Sequence, residues 1–191
     1  ISGLDSGLYV ITVTDSNNCV VIDSLSIIVI SLDYIPLCLV TVDSTSTKNL
    51  IIWEKPLNLP IDSFKIYREI GLNNFVKIGS IAYSDLSKFT DITQGVSPNT
   101  TSYRYKISIL DTCGNESILS DAHRTIHLST PQFTPPKTFD LIWTNDYEGF
   151  TFSQYYILRD LYSTGNWQVI DSVTYGNHSY TDFNSDSSAS Y

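Results

Sequence analysis

The side chains best suited to bind metal or attack a substrate in this 191-residue chain are three cysteines, Cys19, Cys38 and Cys113, and three histidines, His123, His127 and His178. Their spacing argues against both uses. No Cys-x-x-Cys pair and no cluster of histidines occurs, so the ligand spacing of a zinc site is missing. His123 and His127 stand four apart, the same-face spacing of a helix. On a strand that separation is roughly 13 Å, too far for a shared ligand. No Ser-His-Asp order, metalloprotease His pair or phosphate-cradling glycine loop is present. Glu116 and Asp121 read as solvated turn charges. The turns Asp15-Ser-Asn-Asn18 and Asn184-Ser-Asp186 offer oxygens to Ca²⁺, but turn formation explains them equally well. Tyr147, Phe150, Tyr155 and Trp167 could form a sugar-stacking platform, yet Trp167 falls at a regular strand position, which favours scaffold or inter-module packing. These residues imply no catalytic group, no metal and no cofactor.

Composition narrows the class further. A net charge of −9 with only 11 Lys and Arg leaves no basic stripe for phosphates, so nucleic acid is not a partner. Thirteen Tyr and no Met, with a wealth of Ile, Val, Thr and Ser, favour strands over helices. The apolar run Ser26-Ile-Ile-Val-Ile-Ser31 is too short to cross a bilayer, so membrane insertion is not expected. An odd cysteine count fits an extracellular protein with one disulfide and one cysteine paired elsewhere. Beginning on Ile1, the sequence reads as an internal piece of something longer.

The elements that hold these residues follow a period of two. In Tyr103-Arg-Tyr-Lys-Ile-Ser-Ile-Leu-Asp111, Tyr103, Tyr105, Ile107 and Ile109 share one face, with Arg104, Lys106 and Ser108 on the other. Leu8–Thr14 and Val20–Ile30 flank the Asp15–Asn18 turn as a hairpin. Strands are expected at 38–42, 49–53, 63–69, 75–80 and 89–91, with a closing strand over 118–128. Phe64, Ile66 and Arg68 share a face. The pattern then repeats. Trp143 follows Trp53 by 90 residues, and Tyr156-Ile-Leu-Arg159 follows Lys65-Ile-Tyr-Arg68 by 91. Trp167–Ser172 follows Phe75–Ser80 by 92, Tyr180-Thr-Asp182 follows Phe89-Thr-Asp91 by 91, and Ala189-Ser-Tyr191 follows Thr101-Ser-Tyr103 by 88. Five ordered blocks make a tandem repeat. A short first strand of the second copy is expected within Pro131–Pro136, whose prolines would protect an edge.

The seven-strand unit with Trp53 on its second strand and Tyr103 opening its sixth resembles a fibronectin type III sandwich, whose early tyrosine anchors a corner. Gly3-Leu4-x-x-Gly7-x-Tyr9-x-Ile11-Thr-Val-Thr-Asp15-x-Asn17-x-Cys19 resembles the last strands of the SprB-type repeat of giant adhesins in gliding Bacteroidetes, with Asn18 where that repeat has glycine. Residues 37–191 resemble tandem fibronectin-like modules near the C-termini of gliding-motility-associated, type IX-secreted proteins. Trp53, Ile66-Tyr-Arg68, Asp111-Thr-Cys-Gly-Asn-x-Ser117, His123-x-Thr-Ile-His-Leu128 and Tyr147-Glu-Gly-Phe150 carry that resemblance.

These resemblances imply an all-β chain of tandem Ig-like and fibronectin type III-like sandwiches, the first and last incomplete. Residues 1–33 would be the final strands of an SprB-type repeat, 34–128 a complete module and 129–191 a second one lacking its last strands. They imply a non-catalytic structural or adhesive stalk of a secreted cell-surface protein, possible filament formation included, with flanking modules, neighbouring subunits and surface polysaccharide as partners. The rival is an accessory or carbohydrate-binding region of a large secreted enzyme. In this fold Cys38 and Cys113 fall near one pole and are the disulfide candidates, with Cys19 unpaired or paired outside the segment. Bacteroidetes O-glycosylation at Asp-Ser followed by a small or apolar residue would place sugars on Ser24, Ser44 and Ser172.

Overall fold

The computed structural model describes residues 5–27, 33–130, 138–145 and 147–183, all strand, turn or irregular chain without a helix among them. Contacts divide the chain into two compact units, Ile1–Asp33 and Tyr34–Tyr191.

The first unit is a hairpin of β1 (Gly7–Thr14) and β2 (Val20–Ile27), paired from Gly7 with Ile27 to Thr14 with Val20. Asp15 makes the turn, its Oδ1 accepting the N–H groups of Asn17 and Cys19, both at 2.8 Å. Asn18 takes the left-handed conformation at φ 64°, which asparagine tolerates better than most residues. The stretch expected to continue β2 over 28–30 lies outside the described residues.

The second unit opens with β3 (Leu37–Val42), β4 (Asn49–Trp53), β5 (Ile61–Gly71), β6 (Asn74–Ala82), β7 (Lys88–Asp91), β8 (Arg104–Asp111) and β9 (His123–Arg124). They form one sheet in the order β3-β4-β7 and another in the order β6-β5-β8-β9, the two-sheet arrangement of a fibronectin type III sandwich. Alternation along the strands fills the space between them. Ile51, Phe64, Ile66, Tyr105, Ile107 and Ile109 are all fully buried, with Trp53 tilted on Phe64 at 5.3 Å between ring centres. Each such side chain contributes about 1.5–3 kcal/mol by leaving water. The Tyr103 hydroxyl accepts the N–H of Ser97 at 3.1 Å, closing the tyrosine corner that the sequence predicts.

The repeat follows with β10 (Leu128–Ser129), β11 (Phe139–Trp143), β12 (Gln154–Arg159), β13 (Gln168–Thr174) and β14 (Ser179–Asp182). Its sheets are β10-β11-β14 and β12-β13. Leu128 pairs with Trp143 as Leu37 pairs with Trp53. The first strand of the repeat is therefore Leu128–Ser129; the proposed location at 131–136 lies outside the described residues.

The closing strand expected over 118–128 also differs. Only His123–Arg124 joins the β8 ladder, together with a Leu110–Glu116 bridge. Hydroxyls interrupt the rest. Ser117 Oγ and Ser120 Oγ accept the N–H groups of Ile109 and Ile107, each at 3.0 Å, and Thr125 Oγ1 accepts that of Tyr103 at 2.8 Å. With side chains taking the β8 donors, the segment satisfies its neighbour without lying in register.

Candidate functional site

The most buried chemistry of the chain is a polar cluster inside the complete module. β5 carries Arg68 inward, β7 ends on Asp91 and β4 begins with Asn49, which pairs with Asp91 across the sheet. Arg68 Nη1 donates to Asp91 Oδ2 at 2.6 Å, and the Tyr105 hydroxyl donates to the same oxygen at 2.8 Å. Asn49 Nδ2 donates to the Tyr105 hydroxyl at 2.8 Å. Burial works to raise the Asp91 pKa, yet bonds from Thr93, Arg68 and Tyr105 outweigh it and hold the carboxyl below its ordinary range. Burial, then the Asp91 charge, pushes the Tyr105 hydroxyl well above the ordinary phenol range. Asn49 Oδ1 is left without a partner, while the other bonds of the cluster tie β4, β5, β7 and β8 together across the two sheets. The repeat reproduces its ionic half, with Arg159 Nη1 donating to Asp182 Oδ2 at 2.7 Å. Alternation alone conceals this pairing. The signal that reveals it is the common spacing of 23 residues between arginine and aspartate in both copies.

A second cluster joins the repeats. Arg104 of β8 binds Glu69 of its own sheet at 2.6 Å and Glu148 of the following module at 2.7 Å. The Arg124 N–H donates to the Glu148 carbonyl, and Thr144 exchanges backbone and hydroxyl bonds with His127. Tyr147, Phe152 and Tyr155 pack beside them, with Tyr147–Phe152 and Phe152–Tyr155 centroids 5.4 and 4.7 Å apart and planes crossing at 83° and 72°. A groove of about 310 Å³ separates this cluster from Leu39 and Thr41 of β3. Rings set edge to face leave Tyr147, Phe150 and Tyr155 without a flat stacking face, and their ring contacts lie within the repeat module. Trp167 stands apart from them and is 65% exposed.

That exposure belongs to an open face. In the complete module β5 pairs with both β6 and β8, whereas β12 pairs with β13 alone among the described residues. An apolar groove of about 240 Å³ there is lined by Leu128, Leu141, Ile157, Trp167 and Ile170, with Arg159 and Asp182 at its polar end.

The remaining candidates are scattered. Cys19, Cys38 and Cys113 are exposed free thiols, and the Cys38–Cys113 bond expected from the sequence is not formed in this structure. Cys38 occupies the irregular position between Leu37 and Leu39 in β3, and Cys113 sits on the turn after β8. Ser24, Ser44 and Ser172 are all exposed, on β2, on the β3–β4 turn and on β13. His123 is buried, and desolvation lowers its pKa against the pull of Asp121 and Glu148. His127 and His178 line one open groove beside Trp143. Glu116 does not meet Asp121; it accepts Lys65, Tyr67 and Ser108, while Asp121 accepts the Tyr34 hydroxyl. Asp15 spends its oxygen on its own turn, and Asn184–Asp186 lies outside the described residues. No group of three or more potential metal ligands gathers among the described residues.

No protein-family profile matches the chain, and no curated protein matches it. Among solved structures, a Fn3-like protein from Clostridium thermocellum is similar at 17% identity and a TM-score of 0.41, covering 55% of this chain and 99% of that one. The chicken CNTN1 FN1-FN3 domains are similar at 10% identity and a TM-score of 0.41, covering 95% of this chain and 68% of that one. Strand order and register, as given above, define the fold.

Proposed function

We propose that the chain is a non-catalytic stalk segment of a secreted adhesin-like surface protein, built to space and display and able to assemble end to end. The observation that carries this reading is the junction within Tyr34–Tyr191. Leu128 enters the sheet of the repeat four residues after Arg124 leaves that of the complete module, and Arg104 and Glu148 clamp the two. Little slack remains, so successive sandwiches form a stiff rod whose buried groups all serve the scaffold. The SprB-like hairpin and the tandem modules support a location on the surface of a gliding Bacteroidete, reached by type IX secretion. Exposure of Ser24, Ser44 and Ser172 supports O-glycosylation there.

The test uses the native protein. Antibodies against the chain should label intact cells, and external protease should remove the label. Labelling only after lysis would overturn the reading. Mass spectrometry of the released material should find hexose on at least one of Ser24, Ser44 and Ser172, and bare serines at all three would remove that part.

A further inference from the structure

We propose that the outer face of the β6-β5-β8-β9 sheet binds a carboxylate-bearing polysaccharide along a row formed by Lys77, Tyr67 and Lys106. The proposal rests on the stalk reading and names what the stalk would hold.

Charge is spread unevenly along the chain. Residues 34–128 carry nine of the eleven Lys and Arg against nine Asp and Glu, so the complete module is neutral and the flanking segments carry the whole net charge of −9. Five of those cations, Lys65, Lys77, Arg104, Lys106 and Arg124, share one sheet face. Register places them there. Tyr67 pairs with Lys77 on one side and Lys106 on the other, and Arg104 pairs with Arg124. Directly paired residues point the same way, as do residues two apart on a strand, which adds Lys65 beside Tyr67.

The carboxylates of this face are already engaged. Glu116 accepts Lys65 Nζ at 2.6 Å, the Tyr67 hydroxyl at 2.5 Å and the Ser108 hydroxyl at 2.6 Å. Glu69 and Glu148 both take Arg104. Among the described residues neither Lys77 nor Lys106 forms an ion pair. Their strands lie two spacings apart, about 10 Å, with Tyr67 between them.

The fold does not require these cations. The repeat keeps the inner pair, with Arg159 and Asp182 standing for Arg68 and Asp91. On the outer face, Leu158 pairs with Val169 where Tyr67 pairs with Lys77, and Tyr156 stands for Lys65. The same strands are therefore built without charge there, and the cations of the complete module are free to serve a ligand.

The row also selects that ligand. An ammonium is a compact, hydrated point charge, suited to single carboxylates spaced along a hydrated chain. A protein partner would seek aromatic anchors, and these are taken. The Tyr67 hydroxyl is tied to Glu116, and the Phe75 ring lies under Arg104 and Lys106, 5.4 and 5.0 Å from its centre. Nucleic acid, with a phosphate at every step, meets too few cations on a chain of net charge −9. A polyuronate is polar throughout and more sparsely charged.

The test is binding of alginate, a linear polyuronate, to the purified chain by biolayer interferometry at low ionic strength, with neutral dextran as the blank. The chain should bind alginate and not dextran, and rising salt should weaken binding because exposed charges are screened. Lys77→Gln with Lys106→Gln should weaken it about tenfold, through loss of two exposed ion pairs. Lys48→Gln with Lys88→Gln removes the same charge from the opposite sheet and the turn before it, and should leave binding unchanged. Neither Lys77 nor Lys106 is buried, so the first variant should keep the fluorescence of buried Trp53. Binding of dextran, equal losses in both variants, or no binding by the parent chain would overturn the proposal. Self-association that Lys77→Gln with Lys106→Gln abolishes, without alginate binding, would also overturn it and give the face to an acidic protein surface. A chain that labels intact cells yet ignores alginate refutes the ligand and leaves the stalk reading standing; one that binds alginate but is absent from the surface does the reverse.

Discussion

Replacement of Asp91 by alanine should be among the most damaging single changes, and the repeat supplies its control. Asp91 is fully buried, and its carboxylate takes Arg68, the Tyr105 hydroxyl and the Thr93 N–H at 2.6, 2.8 and 3.0 Å. Removing it strands the Arg68 charge at 9% exposure, and breaking a buried pair in this way costs about 3–5 kcal/mol. Asp182 and Arg159 make the same bond with side chains 9% and 20% exposed, against 0% and 11% for Asp91 and Arg68. More water reaches the second pair, so Asp182→Ala should cost less, about 1–3 kcal/mol. Tyr105→Phe removes one donor to Asp91 and one acceptor for Asn49, for about 1–3 kcal/mol. A cycle with Asp91→Asn should show coupling of about 0.5–3 kcal/mol because the groups touch. Urea unfolding followed by the fluorescence of Trp53 and Trp143, 2% and 6% exposed, reads each module through its own core. An Asp91→Ala cost below about 1 kcal/mol, or one equal to that of Asp182→Ala, would refute the claim that burial sets the penalty.

Other perturbations separate the remaining contributions. Burial tends to raise the Glu116 pKa, but bonds from Lys65, Ser108 and Tyr67 overcome it and hold it at about 2. The stability it contributes is present above the unfolded value near 4.3 and lost as pH falls toward about 2, so Glu116→Gln should flatten acid unfolding in that window. His123 shares that sign for a different reason, because burial disfavours its charged form and lowers its pKa, so the unfolded chain binds the proton first. Stability should fall as pH drops below about 6.5, and His123→Phe should remove that dependence in urea titrations at stepped pH. Gly79→Ala would drive a methyl into the Phe89 ring and should cost about 1–3 kcal/mol by thermal unfolding; an unchanged midpoint would show that the ring moves aside freely. All three thiols are exposed and should react with a thiol reagent in the native state, whereas a single reactive equivalent would restore the Cys38–Cys113 bond.

Period-two alternation made the sandwich legible wherever a strand has one dry face, as in Tyr105, Ile107 and Ile109, and the repeat carried that legibility to Trp143 and Ile157. It failed where polar groups face inward. Asn49 and Asp91 are fully buried, although their types read as surface, because each finds its partners on a different strand. It failed again where side chains replace backbone, at Ser117, Ser120 and Thr125, since a hydroxyl that occupies a ladder site breaks the period that would announce the strand.

Arg104 shows the deeper reason for the rest. Alternation places it correctly on the outer face of β8, and an outer arginine reads as a solvated charge. It is instead 14% exposed, held between Glu69 and Glu148, and its pKa is raised because those two carboxylates outweigh its burial. Nothing in a spacing of 44 residues distinguishes Glu148 from any other acid in the chain. What selects it is the short passage from Arg124 to Leu128, which brings the next module against β8 before the chain can swing away. Faces within a module obey local periodicity, whereas a junction is set by how little chain separates two folded bodies. Arg104→Ala should therefore loosen the junction while leaving the Trp53 core intact, seen as faster proteolysis between 124 and 128 without a shift in the urea midpoint of the complete module.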